Sequence, residues 1–497
     1  MRRGRIEWVE MRSKYRQWLA ISLFFIFFYL RLHGLGSHDL WYDEVITTHL
    51  VLNPWHIWNP PLYYIILHFW TKALGTSEAV LRFPSLLFSF TSLIVLFRLG
   101  ARLFNKKAGL WASVIMGLSP FQLWYAQEAR NYSLALLLGL LSTYLLVIAL
   151  DKKKVGYWIG FALVSIAGVY SNYFLIFLTV SQGLYLLLFR GQFQCKLKHV
   201  IIFLSIGLGF LPYIRRFSDK FFTVWSGFWI NAPTLRSLSI TIENFILGYN
   251  SHFWAYLAAD IIAIVLLAGA CAGLREKALR PRISLCLAIL LGPILLSFLF
   301  SRLLFPIYLD RALIIASPGL YLLLGLGIAA LPKKKVAALL AASLCALLIY
   351  AGYAYYHDWM PLPYPHHAGT YIKKPVKPIT AFIEDAFDDQ DLLVLSNYSL
   401  WYSLEYYFQR NIPIHSIFAQ GGTDSDWRRP LKETDIFIPL ERIDRRPFRR
   451  LWLVANNWER DGKLGEVSKK ITAYLDTKFR LALTKELEGS WIFVYEH

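Results

Sequence analysis

Cysteine and acidic side chains are both scarce in this sequence of 497 residues. It has 33 Asp and Glu against 52 Lys and Arg, which gives a net charge of +19. Its four cysteines are Cys195, Cys271, Cys286 and Cys345, all in or beside apolar runs. This usage excludes a disulfide framework and offers no ligand spacing for a zinc site.

Further absences narrow the class of protein. There is no convincing internal repeat, no low-complexity tract, and no Gly-rich phosphate loop in the C-terminal part. The basic start leads into an apolar run at 18–32, but no small-residue cleavage site follows, so this run is predicted to be a first membrane span. The basic residues lie in short clusters between apolar runs. Such clusters are typical of anchoring at lipid headgroups and argue against a nucleic-acid partner.

Long apolar runs are what the sequence has in excess, with 56% hydrophobic residues. About eleven runs are long enough to cross a bilayer. They lie near 18–33, 81–99, 108–126, 131–150, 155–171, 172–190, 199–216, 252–274, 283–301, 311–331 and 336–356. A polytopic α-helical membrane domain is therefore predicted over residues 1–356.

Residues 357–497 have an ordinary soluble composition, and the boundary falls near the Pro-rich stretch 361–378. Short apolar segments alternate with helical patterns, which predicts a small α/β domain. The predicted strands are Leu392–Ser396, Leu451–Val454 and Ile492–Tyr495, and the predicted helices are Ile379–Phe387, Leu400–Gln409 and Val467–Phe479. The aromatic residues Trp401, Tyr402, Tyr406 and Tyr407 could stack on a sugar, but packing in the domain is the ordinary role of such a stripe.

The positive charges predict which side of the membrane each loop occupies. The run 60–74 is short for a span, and treating it as a juxtamembrane helix puts every Lys/Arg cluster on the cytoplasmic side. The N-terminus is then cytoplasmic. Segments 34–80, 126–132, 217–251 and 302–310 and the C-terminal domain are extracytoplasmic, in a multi-pass protein of the cell membrane.

Two groups of polar residues lie on that outer side. Asp43 and Glu44 follow the first span, where carboxylates are costly unless paired or functional, although acids that cap the next helix would look the same. Glu128, Arg130 and Tyr132 lie in a polar turn between two apolar runs, and a surface ion pair is the alternative there. The side assignment predicts that Asp43 and Glu128 share one outward-facing pocket.

Two further features could bind an anion. Asn59 is predicted to cap a helix with Pro60 and Pro61 in its first turn and Tyr63 just beyond, and the free amides of such a start can receive phosphate. A surface helix without a ligand is the alternative. Arg311, in Tyr308-Leu309-Asp310-Arg311, could contact a lipid phosphate or anchor at the headgroups.

Taken together these motifs resemble the GT-C membrane glycosyltransferases of the family-39 type, whose members include protein O-mannosyltransferases and lipid A aminoarabinose transferases. The resemblance is carried in order by Asp43-Glu44, by Asn59-Pro60-Pro61-Leu62-Tyr63-Tyr64, by Leu81-Arg82-Phe83-Pro84-Ser85 and by Gln127-Glu128-Ala129-Arg130-Asn131-Tyr132-Ser133. It departs from the family where relatives often have His before the double proline and Arg-Tyr in the late span. Here those positions are Asn59 and Arg311-Ala312.

The resemblance implies a GT-C fold with juxtamembrane helices and a sugar donor carried on polyprenyl phosphate. The sugar would pass, with inversion, to a glycan, lipid or protein acceptor of the cell envelope. It makes Asp43 the general base, with Glu44 and Glu128 as further catalytic acids and Arg130, Tyr132, Asn59, Pro60, Pro61, Tyr63 and Arg311 as substrate-binding residues. No cofactor is implied with certainty, and a divalent metal ion that bridges acids to phosphate stays open. The rival class is a membrane transporter or lipid flippase, which many spans and intramembrane acids also suit.

Overall fold

The computed structural model describes residues 18, 21–56, 59–193, 197–225, 230–362, 366–367, 370, 373, 375–396, 400–418, 437–456 and 466–497. Cys195 and the basic N-terminal residues lie outside them. The chain forms two compact units. The first contains Met1–Leu35, Asn53–Trp225 and Ile230–Ile372, and the second joins Gly36–Leu52 to Lys373–His497.

The first unit is helical throughout, because its apolar runs must satisfy their backbone polar groups internally. Among the described residues, every predicted apolar run contains a helix. The helices are α1 (Ile21–Leu32), α3 (Leu62–Leu74), α4 (Glu78–Leu103), α5 (Lys106–Leu118), α6 (Pro120–Ala126), α7 (Tyr132–Lys152), α8 (Val155–Val169), α9 (Leu175–Leu188), α10 (Arg190–Phe193), α11 (Leu197–Phe210), α12 (Ile214–Trp225), α13 (Leu235–Leu247), α14 (Phe253–Ala272), α15 (Arg280–Leu303), α16 (Ser317–Ala330) and α17 (Lys334–Tyr356).

Seven of the helical segments in the described part of the chain are long and apolar enough to cross a membrane. The segment before α16 is a 3-10 turn, Ala312–Ala316, and together they form the most buried of these spans, with 94% of its apolar window inside the protein. It packs closely on α5, where Gly325 meets the backbone: a Cβ there would lie 2.5 Å from the Ala108 carbonyl oxygen. Helices α5 and α16 therefore lie at the centre of the core of the first unit.

Two helix boundaries and one predicted loop differ from the sequence-based expectation. The single span predicted over 108–126 is interrupted at Ser119, where the backbone turns to ψ 121° before Pro120 starts α6. The juxtamembrane helix begins at Leu62 rather than Pro60, so Asn59 is not its cap. The segment predicted as a long loop after residue 216 contains α12 and α13. These differences lie at Pro120, at Pro60 and in the segment after residue 216. At each of them contacts with other helices, rather than the local sequence, determine where a helix starts or ends.

The break at Ser119 is stabilised from α1. Pro120 has no N–H, so the Met116 carbonyl loses its helical partner, and the turn removes that of Gly117 as well. Arg31, which is fully buried, donates to the Met116 oxygen at 3.4 Å and to the Gly117 oxygen at 3.2 Å. Its Nε donates to Ser89 Oγ at 2.9 Å. One guanidinium thus joins α1 to α4 and to the end of α5.

The second unit contains one six-stranded sheet with strand order β3-β2-β1-β4-β6-β5. The strands are β1 (Leu392–Leu395), β2 (Ile414–Phe418), β3 (Phe437–Pro439), β4 (Arg450–Asn456), β5 (Arg480–Leu487) and β6 (Ser490–Glu496). The pairs among β1 to β4 are parallel, and β6 runs antiparallel to β4 and β5. Its helices are α2 (Tyr42–Leu52), α18 (Lys377–Ala386), α19 (Trp401–Tyr407) and α20 (Glu466–Asp476).

The three strands and three helices predicted after residue 378 are all present, and β2, β3 and β5 were missed. Nearly all side chains of β5 are exposed, so this strand adds no buried face to the core, although Leu481, Leu483 and Leu487 alternate along its sequence. The second unit also includes a segment from far upstream, Gly36–Leu52 with helix α2, which follows the first span in sequence.

Candidate active site

The turn between α6 and α7 carries Glu128, Arg130 and Tyr132 within the first unit. Glu128 has no exposed surface, so it is not a member of a surface ion pair. The Arg130 guanidinium lies 6.0 Å from the centre of the Tyr132 ring, and the amide of Arg130 donates to the Glu128 carbonyl at 2.8 Å. Buried charge at a polar turn requires dedicated neighbours, which makes this turn a candidate site.

Gln127 fixes the start of this turn to two other helices. Its amide nitrogen donates to the carbonyl oxygens of Arg31 and His33, at 3.0 and 2.6 Å, where α1 ends. Its amide oxygen accepts from the Tyr355 hydroxyl of α17 at 2.7 Å. Since every polar atom of the Gln127 side chain is engaged, the turn has one well-defined position between α1 and α17.

Hydrogen bonds join three sequence motifs that are well separated along the chain: those of α3, of α4 and of this turn. The Tyr63 hydroxyl of α3 lies 2.9 Å from Ser85 Oγ of α4, and Ser85 Oγ donates to the Arg130 carbonyl oxygen at 3.2 Å. Tyr63 is fully buried, so its hydroxyl serves this contact. Tyr63 is thereby linked to the backbone of Arg130.

The first amide of the juxtamembrane helix, that of Leu62, already has a hydrogen-bond partner. Leu62 N donates to the Tyr170 carbonyl oxygen at 2.9 Å, and Pro60 and Pro61 are buried. The Asn59 carbonyl oxygen accepts from the Tyr213 hydroxyl at 2.5 Å. The predicted anion site at residues 60–62 therefore lacks the Leu62 amide, because that group is already satisfied.

Asp310 and Arg311 lie at the start of the 3-10 turn before α16, and both are buried. Asp310 accepts from Asn244 Nδ2 and from the Arg311 amide, each at 2.7 Å. Burial raises the pKa of Asp310 above its ordinary value, against the opposing effect of these two donors.

A pair of tyrosines connects this second charged pair to the first. The hydroxyls of Tyr125 and Tyr249 are 2.6 Å apart. The Tyr249 side chain hydrogen-bonds to Asp310, and the ring centre of Tyr125 lies 5.0 Å from that of Tyr132. The two tyrosines therefore lie between the Asp310–Arg311 pair and the Glu128 turn. Glu128 and Arg311 are predicted from the sequence as site residues, whereas Asp310, Asn244 and the two tyrosines are not. Only the adjacency of Asp310 to Arg311 was visible along the chain.

Asp43 and Glu44 lie in the first turn of α2, in the second unit. Asp43 is half-buried, whereas Glu44 has no exposed side-chain surface and forms an ion pair with Lys373 Nζ at 3.2 Å. Glu44 is thus a buried, paired acid rather than a solvated one. Among the described residues, no group of three or more His, Cys, Asp or Glu side chains is arranged to hold a metal ion.

The first unit, with its apolar helices and buried charged turns, is that of a polytopic membrane protein, and the whole chain has the GT-C fold. Residues 59–214 match the sequence model of the family described as dolichyl-phosphate-mannose-protein mannosyltransferase. Among curated protein sequences, none matches this chain.

Several solved structures have a fold similar to that of this chain. ArnT from Cupriavidus metallidurans in the apo state has a TM-score of 0.66 at 11% identity, over 97% of this chain and 98% of that one. The same protein bound to undecaprenyl phosphate gives 0.65 at 11% identity, over 96% and 98%. The Archaeoglobus fulgidus oligosaccharyltransferase gives 0.53 at 11% identity, over 79% and 64%. The predicted fold class and the resemblance to GT-C glycosyltransferases are confirmed.

Proposed function

We propose that this protein is a glycosyltransferase that moves a sugar from a polyprenyl-phosphate donor to an acceptor hydroxyl on the extracytoplasmic face of the membrane. The observation that carries the proposal is the set of buried hydrogen bonds in the first unit that joins the motifs of α3 and α4 to the turn of the buried Glu128. A similar fold in a protein bound to undecaprenyl phosphate supports the class of donor.

The proposed reaction is a single displacement with inversion. The acceptor oxygen bonds to the anomeric carbon while the bond from that carbon to the phosphate oxygen breaks, and the electron pair leaves with polyprenyl phosphate. The acceptor proton passes to the carboxylate of Asp43, the general base. Arg130 and Arg311 stabilise the phosphate as its negative charge grows, because charge-assisted hydrogen bonds strengthen with that charge.

Glu128 and Glu44 have different roles in the proposed site. Glu128 is a fully buried acid next to Arg130 in sequence, and we assign it to the orientation of that guanidinium toward the donor. Glu44 is ion-paired with Lys373, so we assign it to the position of its neighbour Asp43 rather than to proton transfer. The Tyr132 ring centre lies 6.0 Å from the Arg130 guanidinium, and we assign Tyr132 to the orientation of that side chain. Tyr63 supports the backbone of Arg130 through its hydroxyl and Ser85, and Asn59, Pro60 and Pro61 lead into the helix that carries Tyr63.

The proposal is tested with purified protein in nanodiscs, supplied with a polyprenyl-phosphate hexose or pentose and with glycan, lipid or peptide acceptors. Wild type is expected to form a product of inverted anomeric configuration, identified by NMR. Asp43→Asn removes the base without changing its size, and we expect a loss of roughly 100-fold or more in kcat. Asp389→Asn is the matched control, because the Asp389 side chain is 94% exposed. Undiminished transfer by Asp43→Asn would refute the base assignment, and facilitated movement of the lipid without transfer would favour a flippase.

A further inference from the structure

The segment with Asp43 is attached to the second unit through a helix cap supplied from a distance. Helix α18 begins after Val376, which has no capping side chain, and Pro378 has no N–H to donate. The carboxylate of Asp39 takes the place of the missing cap. Asp39 Oδ2 accepts from the amides of Val376 at 2.6 Å and Lys377 at 2.8 Å, and Lys377 Nζ lies 3.3 Å from Oδ1.

A second attachment lies at the next residue. The amide of Leu40 donates to the hydroxyl of Tyr407 in α19 at 2.7 Å, and Leu40 has no exposed surface. The Lys377 ammonium is 5.2 Å from the centre of the Tyr407 ring, so one lysine contacts both attachment points. Tyr407 belongs to the aromatic stripe that the sequence offered as a sugar platform, and here its hydroxyl holds the backbone of the upstream segment.

A third attachment follows Asp43. Glu44 and Lys373 form the ion pair described above, with 0% and 11% of their side chains exposed. Helix α2 also contacts α19 through Tyr402, whose ring centre lies 5.2 Å from that of His49. Attachments at residues 39, 40 and 44 therefore bracket Asp43 on both sides within the second unit.

We propose that Asp39, Tyr407 and Lys373 are positioning residues, through which the C-terminal α/β unit holds the start of helix α2, which bears the general base. This inference rests on the proposed function of Asp43. It gives the C-terminal unit a part in the reaction itself. Without these attachments the segment that bears the base would sample many orientations, and only one lets the base accept the proton of the attacking hydroxyl.

The test compares Asp39→Ala and Asp39→Asn with Asp389→Ala and Asp389→Asn, in the full-length protein in nanodiscs. Asp39→Ala should lower kcat by about ten- to a hundredfold, since a displacement near 1 Å of a catalytic group can cost on the order of 100-fold. The KM for the polyprenyl-phosphate sugar should stay within about twofold, because Arg130 and Arg311 are unchanged. Asp39→Asn keeps one acceptor oxygen, so its kcat should lie between those of Asp39→Ala and wild type. Tyr407→Phe, which removes only the hydroxyl that accepts from Leu40, should give a smaller fall in kcat.

Hydrogen exchange followed by mass spectrometry provides a readout that does not depend on activity. Peptides covering 36–52 should exchange faster in the Asp39 variants than in the Asp389 controls, while peptides of β4 and β6 should be unchanged. Equal exchange, or faster exchange with unaltered kcat, would overturn the proposal. Inactive wild type, or full activity of Asp43→Asn, would instead refute the proposed function, whatever the Asp39 variants do.

Discussion

Replacing Arg31 by Met is predicted to destabilise the first unit, because this side chain compensates for the helix break at Ser119. The substitution keeps an apolar stem of similar length but leaves the Met116 and Gly117 carbonyls and Ser89 Oγ without their donor. Hydrogen bonds between membrane helices average about 0.6 kcal/mol each, so the three lost bonds correspond to roughly 2 kcal/mol. Bonds to a charged donor are worth about 1.5–3 kcal/mol each, which makes this sum a lower bound.

An opposing contribution comes from the arginine itself. Its charge is fully buried, and removing a buried charge recovers part of a desolvation cost of several kcal/mol. The two carbonyls stay buried in either case, so we expect a net loss of about 1–3 kcal/mol. The stability of Arg31→Lys should fall between those of wild type and Arg31→Met, since one ammonium cannot reproduce the guanidinium fork that reaches α4 and α5 together.

Unfolding by SDS titration in bicelles measures this difference. The matched control is Arg102→Met, which breaks a solvent-exposed pair with Asp151 and should cost no more than about 1 kcal/mol. Adding Pro120→Ala to Arg31→Met supplies an N–H that can donate to Met116, and should restore part of the stability by letting α5 continue. Equal stability of Arg31→Met and wild type would refute the idea that the guanidinium holds the break.

Three further outcomes follow from the described contacts. Gly109→Val should destabilise the α4–α5 contact by about 2 kcal/mol or more, because a Cβ at Gly109 would lie 2.5 Å from the Phe97 carbonyl oxygen. Gly352→Ala, with nothing within 4 Å, should be tolerated, and the comparison is made by the same SDS titration. Burial raises the pKa of Asp310, so the folded state holds its proton more tightly, and wild type should lose stability relative to Asp310→Asn as the pH rises above about 4 in thermal melts. Lys373→Met leaves the buried Glu44 without its ion-pair partner and should cost about 3 kcal/mol, whereas the double variant with Glu44→Gln should recover most of it in the same melts.

The Glu128 turn shows why the candidate site could be only partly predicted. Its polar residues stand out between apolar runs, and the motif order along the chain pointed to the GT-C fold. Asp310 and Asn244 gave no comparable signal. Their importance comes from a 2.7 Å hydrogen bond between residues 66 positions apart, which no local pattern encodes.

The sequence by itself determined the helical membrane class, the location of the apolar helices and the residues that carry charge between them, although only seven of the described helices, against eleven predicted spans, are long and apolar enough to cross a membrane. Runs of apolar residues do this because bilayer thickness and backbone hydrogen bonding leave a chain few other choices. Tertiary structure alone decided that the span at 108–126 breaks at Ser119, where Arg31 from α1 takes up the released carbonyls. It also decided that Gly36–Leu52 joins helices α18 and α19 of the C-terminal unit, because the acceptor for the α18 amides is the carboxylate of Asp39, 337 residues before Val376.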